Sequence, residues 1–301
     1  MDTQKMMDMA LELANLKEMP GDCGIVVPGE GIKNVLMGVD MDTAELLLAK
    51  ELGYDCVVTH HPRNTNPKML DVMDSHILRL EKLGVPRNKG QKALAPRKDE
   101  LSYNQHVSNS RRSESAAKLL NMPFVSLHTP ADIIGEAIVQ KFLDEKFADK
   151  LDTKLGDITE ALEEIGEYKN SSRKPVIRVG GKDSYAGKIY VLMSGYTGPG
   201  AKVLKAYFDG GVGTLILMHI PEKDAKEIKE QGIGNVIVAG HMSSDSLGMN
   251  VIANKWREQG VKVTMMSGVI DAWKFVEIKG KMRTISVDFQ NMPMYNASNW
   301  Q

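Results

Sequence analysis

The sequence is poor in cysteine and in aromatic residues. Only Cys23 and Cys56 occur among 301 residues, and aromatic residues make up 6%. Two cysteines cannot build a disulfide framework, so we expect reduced thiols in a cytoplasmic protein. The first residues lack the basic segment and the apolar run of a secretory signal, which supports the same expectation.

Long apolar runs and a dominant charge are absent as well. No stretch approaches the roughly 18 uninterrupted apolar residues of a membrane-spanning helix, so we expect no membrane partner. The net charge is −1, and a nearly neutral chain has no global field that would favour nucleic acid. The remaining composition is that of a globular protein, and the chain is long enough for two domains.

Short apolar runs alternate with amphipathic segments in both halves of the chain. Residues 35–39 and 56–58 predict strands, separated by a helix that Asp42 begins and Gly53 closes. A strand–helix–strand unit favours a parallel pair of strands. Further strands are predicted at residues 124–127, 189–193, 214–218, 236–239 and 261–265, with a closing hairpin at 275–278 and 283–287. This alternation predicts an α/β protein.

Histidines and aspartates cluster at the predicted carboxyl ends of these strands. Four histidines lie at the carboxyl ends of predicted strands, and two aspartates each come four residues after one of them, a spacing that places both groups on one face if the segment is helical. In open α/β sheets, ligands bind beyond the carboxyl ends of the strands. We therefore expect one shared site for six side chains: His60, His61, His128, Asp132, His241 and Asp245.

Four imidazoles and two carboxylates suit a pair of divalent cations better than a single one. One cation rarely uses six protein ligands if it also keeps open positions for chemistry, whereas carboxylate-bridged pairs occur in hydrolytic sites. The alternative is that each residue is structural, because a lone histidine is often only hydrogen-bonded and an aspartate early in a helix is often a cap. His219 also follows a strand but has no carboxylate at this spacing, and we expect a neighbour of the site rather than a ligand.

Three segments resemble the signatures of the NIF-three-like family, many of whose members are named GTP cyclohydrolase I type 2 homologues. They are residues 39–43 with 58–62, residues 128–132, and residues 239–245, in the family's order. The resemblance implies two interleaved α/β domains with mixed, mostly parallel sheets, a dinuclear metal centre in the cleft between them, and ring-shaped homohexamers. We expect the first domain at residues 1–128 with 246–301 and the second at 129–245.

The resemblance also implies roles for individual residues. Asp245 stands where the family usually has glutamate, residues 63–66 replace bulky apolar residues, and Pro130 and Ala131 replace asparagine and leucine. His128 would lie among the metal ligands or directly beside them, as a candidate catalytic group. Arg63 has no counterpart in the family pattern, and from its charge we expect it to meet an anionic part of the substrate. The implied metal ligands are His60, His61, Asp132, His241 and Asp245.

The function expected from these residues is metal-dependent hydrolysis with two divalent cations. Histidine with carboxylate suits Zn, Fe, Mn and Ni alike. A water between two such cations ionises near neutral pH and attacks a ring carbon or a phosphorus atom, and the resemblance implies a nucleotide, pterin-like or phosphoester substrate. The alternative is a non-catalytic metal-binding or partner-binding regulatory protein.

Two further segments leave alternatives open. The glycine loop at residues 195–200 is not a P-loop, because its lysine comes late and no serine or threonine follows. It is predicted as a tight strand–helix turn, with phosphate binding at the helix start as the alternative. The basic stretch 87–98, with Arg111 and Arg112, is predicted as a solvated loop, and the alternative is a cover over an anionic ligand.

Overall fold

The computed structural model describes residues 1–63, 66–108, 110–148, 150–196 and 198–272. The chain forms two compact units: unit 1 contains Met1–Val72, Val107–Ile134 and Asp245–Gln301, and unit 2 contains Met73–His106 and Gly135–Ser244. The hairpin predicted at 275–278 and 283–287 lies outside the described residues. Within the described ranges, no helix combines the length and the apolar character that a membrane crossing needs.

The strands and helices alternate along most of the chain. The strands are β1 (Gly24–Val27), β2 (Asn34–Gly38), β3 (Cys56–Thr59), β4 (Phe124–Ser126), β5 (Val176–Val179), β6 (Ile189–Leu192), β7 (Thr214–Leu217), β8 (Asn235–Val238) and β9 (Lys262–Met266). The helices are α1 (Thr3–Leu13), α2 (Thr43–Glu51), α3 (Ser75–Lys82), α4 (Arg87–Val107), α5 (Arg112–Leu119), α6 (Thr129–Phe147), α7 (Leu155–Leu162), α8 (Gly166–Asn170), α9 (Ala201–Asp209), α10 (Glu222–Gln231) and α11 (His241–Glu258), with a 3₁₀ helix at Pro67–Asp74.

Unit 1 is built on a five-stranded sheet in the order β1-β4-β3-β2-β9. The pairs β2–β3, β3–β4 and β2–β9 are parallel, and β1 pairs antiparallel with β4. Thr59 at the end of β3 is in register with Gly38 of β2 and Ser126 of β4. The residues that follow these three strands therefore leave the sheet at the same edge.

Helix α2 shows how the sequence fixes local structure in unit 1. Glu45 accepts a hydrogen bond from the backbone N–H of Asp42, and Asp42 caps the helix in return, which confirms the predicted capping box. The buried side chains of Leu46 and Ala49 then join the core that Val57 and Phe124 form on the sheet. The cap sets where the helix begins, and the buried face sets how the helix packs.

Unit 2 contains a four-stranded sheet in the order β5-β8-β7-β6, in which only β5 runs antiparallel to its neighbour. The glycine loop joins β6 to α9. Gly195 adopts a φ of +112°, and a Cβ there would lie 2.6 Å from Nε2 of His76. A glycine is required at this position for both reasons. The mixed, mostly parallel sheets of the two units confirm the predicted fold class.

The basic stretch 87–98 is helical, so the loop prediction was wrong. It forms the first half of α4, which contains Pro96 in its interior. Polar composition and an internal proline both favour a loop, but Gly90 and Leu94 lie buried one turn apart and hold the helix against the rest of unit 2. Pro96 occupies an exposed position, where its missing N–H costs a single main-chain hydrogen bond.

His76 gives unit 2 a predicted sensitivity to acid. Burial, together with the positive charge of Arg79, lowers the pKa of His76 to about 3. The unfolded chain binds this proton near pH 6.5, so between these two values the unfolded form holds more protons and stability falls as the pH falls. We expect His76 to lower the free energy of unfolding by about 2 kcal/mol at pH 5.

The test compares thermal and chemical unfolding of the wild type and His76→Phe between pH 5 and pH 8. The variant should lose stability less steeply toward low pH, whatever its stability at pH 8. His106→Gln removes an exposed imidazole and is the matched control. Parallel stability curves for the wild type and His76→Phe would contradict the assignment.

Candidate metal centre

Five of the six predicted ligands lie together in unit 1. His60 and His61 directly follow β3, His128 follows β4, Asp132 lies in the first turn of α6, and Asp245 lies in α11. Asp132 and Asp245 are each 1% exposed, as is His60, whereas the side chain of His61 is 23% exposed. The site is therefore a buried polar cluster with one imidazole at its accessible side.

The Nε2 atoms of the three imidazoles all face the two carboxylates. Nε2 of His60 lies 3.3 Å from Oδ1 of Asp132 and 3.6 Å from Oδ1 of Asp245. Nε2 of His61 lies 3.6 Å from Oδ2 of Asp245, and Nε2 of His128 lies 3.6 Å from Oδ2 of Asp132. In two overlapping groups, His60–His61–His128 and His60–Asp132–Asp245, the ligand atoms lie within 4.8 Å of one another.

The Nδ1 atoms of the same imidazoles point away from Asp132 and Asp245, and each faces a hydrogen-bond acceptor. Nδ1 of His60 lies 3.1 Å from the backbone carbonyl oxygen of Leu127. Nδ1 of His61 lies 3.0 Å from Oδ1 of Asp40, and Nδ1 of His128 lies 2.7 Å from Oδ2 of Asp22. These acceptors favour the proton on Nδ1, which makes Nε2 the atom that can bind a metal.

The polar atoms at the centre of the cluster fit a divalent cation. Nε2 of His60 and Oδ1 of Asp132 are buried, and within the described residues neither makes a hydrogen bond of acceptable geometry. Burying such groups without partners costs free energy. Imidazole nitrogens and carboxylate oxygens are ligands of the divalent transition metals, so a cation bound here would satisfy both atoms and balance the buried negative charge.

The electrostatics of the cluster follow from the same geometry. Burial lowers the pKa of His60, but the carboxylates of Asp245 and Asp132 outweigh burial and leave that pKa well above its usual value. For His128, burial is likewise overcome by Asp132 and Asp22, which raise the pKa. The pKa of His61 is lowered by burial and by the neighbouring charge of His60. The two carboxylates thus attract positive charge, whether protons or a metal ion supply it.

Arg63, the predicted contact for an anionic substrate, lies beside the cluster. One of its terminal nitrogens donates a hydrogen bond of 2.7 Å to Oδ1 of Asp40, the oxygen that also accepts from His61. Its Nε is buried and makes no hydrogen bond within the described part of the chain. Residues 64 and 65 also differ from the family pattern, and they lie outside the described residues.

His241, the sixth predicted ligand, belongs to unit 2. It is the first residue of α11, and its ring centroid lies 4.5 Å from that of His219, which follows β7. Its predicted approach to His61 stays a prediction. Asp245 comes one turn later in the same helix, so it is not the N-cap of α11, and its role as a metal ligand stays a prediction.

Two residues of the site were missed by sequence reasoning. Asp40 follows β2 and contacts His61. A search of strand ends for carboxylates as well as histidines would have found it. Asp22 lies in the connection between α1 and β1 and carries no such signal. Its place beside His128 depends on a contact across 106 positions of the sequence.

No protein-family model and no curated protein matches the chain. The structure of a NIF3 superfamily protein from Sphaerobacter thermophilus is 33% identical with a TM-score of 0.86, and the match covers 89% of this chain and 98% of that one.

More distant structures share the fold alone. Reduced HcgD from Methanocaldococcus jannaschii is 15% identical with a TM-score of 0.56, and the match covers 88% of this chain and 97% of HcgD. TTHA1606 from Thermus thermophilus is 14% identical with a TM-score of 0.51, over 89% of this chain and 98% of that one. As the three signature segments predicted, and as the identity and coverage of the Sphaerobacter match show, this chain belongs to the NIF3 superfamily.

Proposed function

We propose that this protein is a metal-dependent hydrolase that uses two divalent cations. The observation that carries the proposal is the convergence of three imidazole Nε2 atoms on two buried carboxylates. Cations bound there would ionise a water near neutral pH and polarise the bond to be cleaved. By resemblance, the substrate is a nucleotide, a pterin-like compound or another phosphoester.

The residues of the chain have distinct tasks in this proposal. His60, His61 and His128 present Nε2, and their Nδ1 partners hold each ring in the required orientation. Asp132 and Asp245 each face two imidazoles and would hold the cations together with them. His241, one turn before Asp245, is the remaining proposed ligand. The accessible side at His61 is where a substrate would enter, beside Arg63.

Arg63 supplies a charge for an anionic substrate group in this proposal. Asp40 fixes one end of the guanidinium, and an arginine offers five N–H donors, so donors remain for a phosphate or carboxylate. The same Asp40 contacts His61. Substrate binding at Arg63 would thus take place next to a metal ligand.

The test of the proposed function measures metal content and turnover together. Protein purified without an affinity tag should contain close to two divalent cations per chain by elemental analysis. A panel of nucleotides, pterins and phosphoesters should include a substrate that the wild type turns over. Chelation and His60→Gln should each abolish this turnover, and added metal should restore it in the chelated wild type. Arg63→Gln should keep the metals and raise KM for that substrate. Tight metal binding with no turnover across the panel would instead favour a non-catalytic metal-binding protein.

We also propose that the protein is a homohexamer, on family resemblance. Helix α2 supports self-association, because it buries one face in the core, while three leucines in or directly after it, Leu47, Leu48 and Leu52, remain between 43% and 60% exposed. Apolar surface of this kind is commonly covered by a partner. Closed symmetry is the usual form of soluble homo-oligomers.

Light scattering should therefore give a mass about six times that of the 33.3 kDa chain. The measurement belongs at micromolar protein concentration, with and without chelator, so that a metal-dependent assembly is recognised. A stable monomer under both conditions would contradict the proposal of a hexamer. It would leave the metal site in unit 1 unaffected.

A further inference from the structure

Asp22 is a carboxylate beside the metal cluster that none of the signature segments contains. It lies in a tight turn between α1 and β1, where the N–H of Cys23 donates to the carbonyl of Pro20, and it is fully buried. The turn is pressed against the backbone of the chain, since a Cβ at Gly21 would lie 2.2 Å from the carbonyl oxygen of Lys68. The position of Asp22 is thus set by close packing.

The contacts of Asp22 are concentrated on one oxygen. Oδ2 lies 2.7 Å from Nδ1 of His128 and accepts a hydrogen bond of 2.7 Å from Oγ1 of Thr129. Cys23 approaches the other oxygen with a sulfur–oxygen distance of 3.6 Å. A carboxylate only accepts hydrogen bonds, so this contact places the proton of a neutral His128 on Nδ1 and directs Nε2 toward Asp132.

The other two imidazoles of the cluster are oriented by different means. The Nδ1 partner of His60 is a backbone carbonyl, which no side-chain substitution removes. The partner of His61 is Asp40, which is 52% exposed and open to water. The Nδ1 partner of His128 is the fully buried side chain of Asp22. If Asp22 is substituted, water cannot easily take the place of this acceptor.

We propose that Asp22 is a positioning residue that fixes the tautomer and ring orientation of His128 for a divalent cation. This inference rests on the metal site of the proposed function. Outer partners of this type change metal affinity by about 10–100-fold when they are removed. Asp22 would act through His128, since its side-chain contacts are with His128 and with the residues that flank His128 and Asp22 itself.

The first test measures the tautomer of His128 in metal-free protein. Long-range ¹H–¹⁵N correlation in alkaline buffer, with the His128 signals assigned by their loss in His128→Gln, should show the proton on Nδ1. Asp22→Asn keeps an acceptor oxygen and should retain this tautomer, whereas Asp22→Leu removes the acceptor and should lose the preference. The matched control is Thr129→Val, which removes the other hydrogen-bond donor to Oδ2 of Asp22. This variant should keep the wild-type tautomer. A proton on Nε2 in the wild type would overturn the proposal, even if Asp22→Leu failed to fold.

The second test measures Zn²⁺ affinity by competition with a chromogenic chelator. Asp22→Leu should weaken binding by about 10–100-fold, and Asp22→Asn should lie between that variant and the wild type. Unchanged affinity in a folded Asp22→Leu would contradict a positioning role. If the wild type binds none of Zn²⁺, Fe²⁺, Mn²⁺ and Ni²⁺, the proposed function fails, while the tautomer in metal-free protein still decides the role of Asp22.

Discussion

Replacing Asp245 with asparagine is expected to remove most of the bound metal and to leave the fold in place. The carboxylate is buried and faces Nε2 of both His60 and His61 at 3.6 Å. The change removes a negative charge and an anionic oxygen without changing the size of the side chain. Because altering an outer partner alone costs about 10–100-fold, we expect loss of this proposed direct ligand to weaken metal binding by about a hundredfold or more.

The measurement for Asp245 is metal per chain and metal affinity, together with a melting curve of metal-free protein. Asp245→Glu restores the residue that is usual in the family and is the matched control, since it keeps the charge and should keep the metals. Full metal occupancy in Asp245→Asn would remove Asp245 from the ligand set. The cap explanation would not replace it, because α11 already begins at His241.

Replacing Gly248 with alanine is expected to damage both the fold and the metal site. A Cβ at Gly248 would lie 1.9 Å from the backbone carbonyl oxygen of Ala131, so helices α6 and α11 would have to move apart. Ala131 directly precedes Asp132, and Gly248 lies one turn after Asp245. Overpacking of this kind costs about 1–3 kcal/mol, and we expect the upper end because backbone atoms cannot rotate away. Separating the two carboxylates should also weaken metal binding.

The control for Gly248 is Gly181→Ala, the same chemical change at a position where the nearest atom to a new Cβ would be 3.6 Å away. This control should have a near-neutral or slightly stabilising effect. Chemical unfolding and Zn²⁺ titration of the two variants would separate packing from chain flexibility. A Gly248→Ala protein with wild-type stability and metal affinity would show that α6 and α11 do not need this close approach.

The comparison of Gly248→Ala with Asp245→Asn also separates two effects on the site. The asparagine variant changes the chemistry of a ligand at a fixed position, and the alanine variant changes the position of unaltered ligands. We expect loss of metal in both variants and loss of stability in metal-free protein only for Gly248→Ala. Equal destabilisation of the two metal-free proteins would mean that Asp245 is needed for packing as well.

Much of the candidate site could be predicted because its residues are placed by short-range patterns. Runs such as Cys56–Thr59 are recognised from their apolar residues, and parallel strands in register deliver whatever follows them to one edge of the sheet. The four-residue spacing between His128 and Asp132 is likewise a local feature, and in α6 it brings the two side chains together. These features need no knowledge of distant contacts.

Elements whose stability comes from distant partners were missed or assigned wrongly. Strand β1 was missed although Ile25, Val26 and Val27 are β-branched; the run is only four residues long, and its place at the sheet edge depends on antiparallel pairing with β4, about a hundred residues away in sequence. Helix α4 was predicted as a loop because its composition is polar and Pro96 interrupts it, although two buried positions suffice to hold it. Tertiary contacts overrode local propensity in α4, whereas β1 agrees with its local propensity.

Local sequence patterns were enough to establish the α/β alternation, the capped start of α2, and the placement of imidazoles and carboxylates at strand ends, because each depends on residues a few positions apart. Tertiary contacts alone determine which nitrogen of each imidazole faces the carboxylates, since that choice is made by Leu127, Asp40 and Asp22. They also set the spacing of Asp132 and Asp245, through the close approach of Gly248 to the backbone that precedes Asp132. A metal site requires ligand atoms held at fixed distances from one another, and in this cluster the atoms are positioned by contacts between segments far apart in the chain.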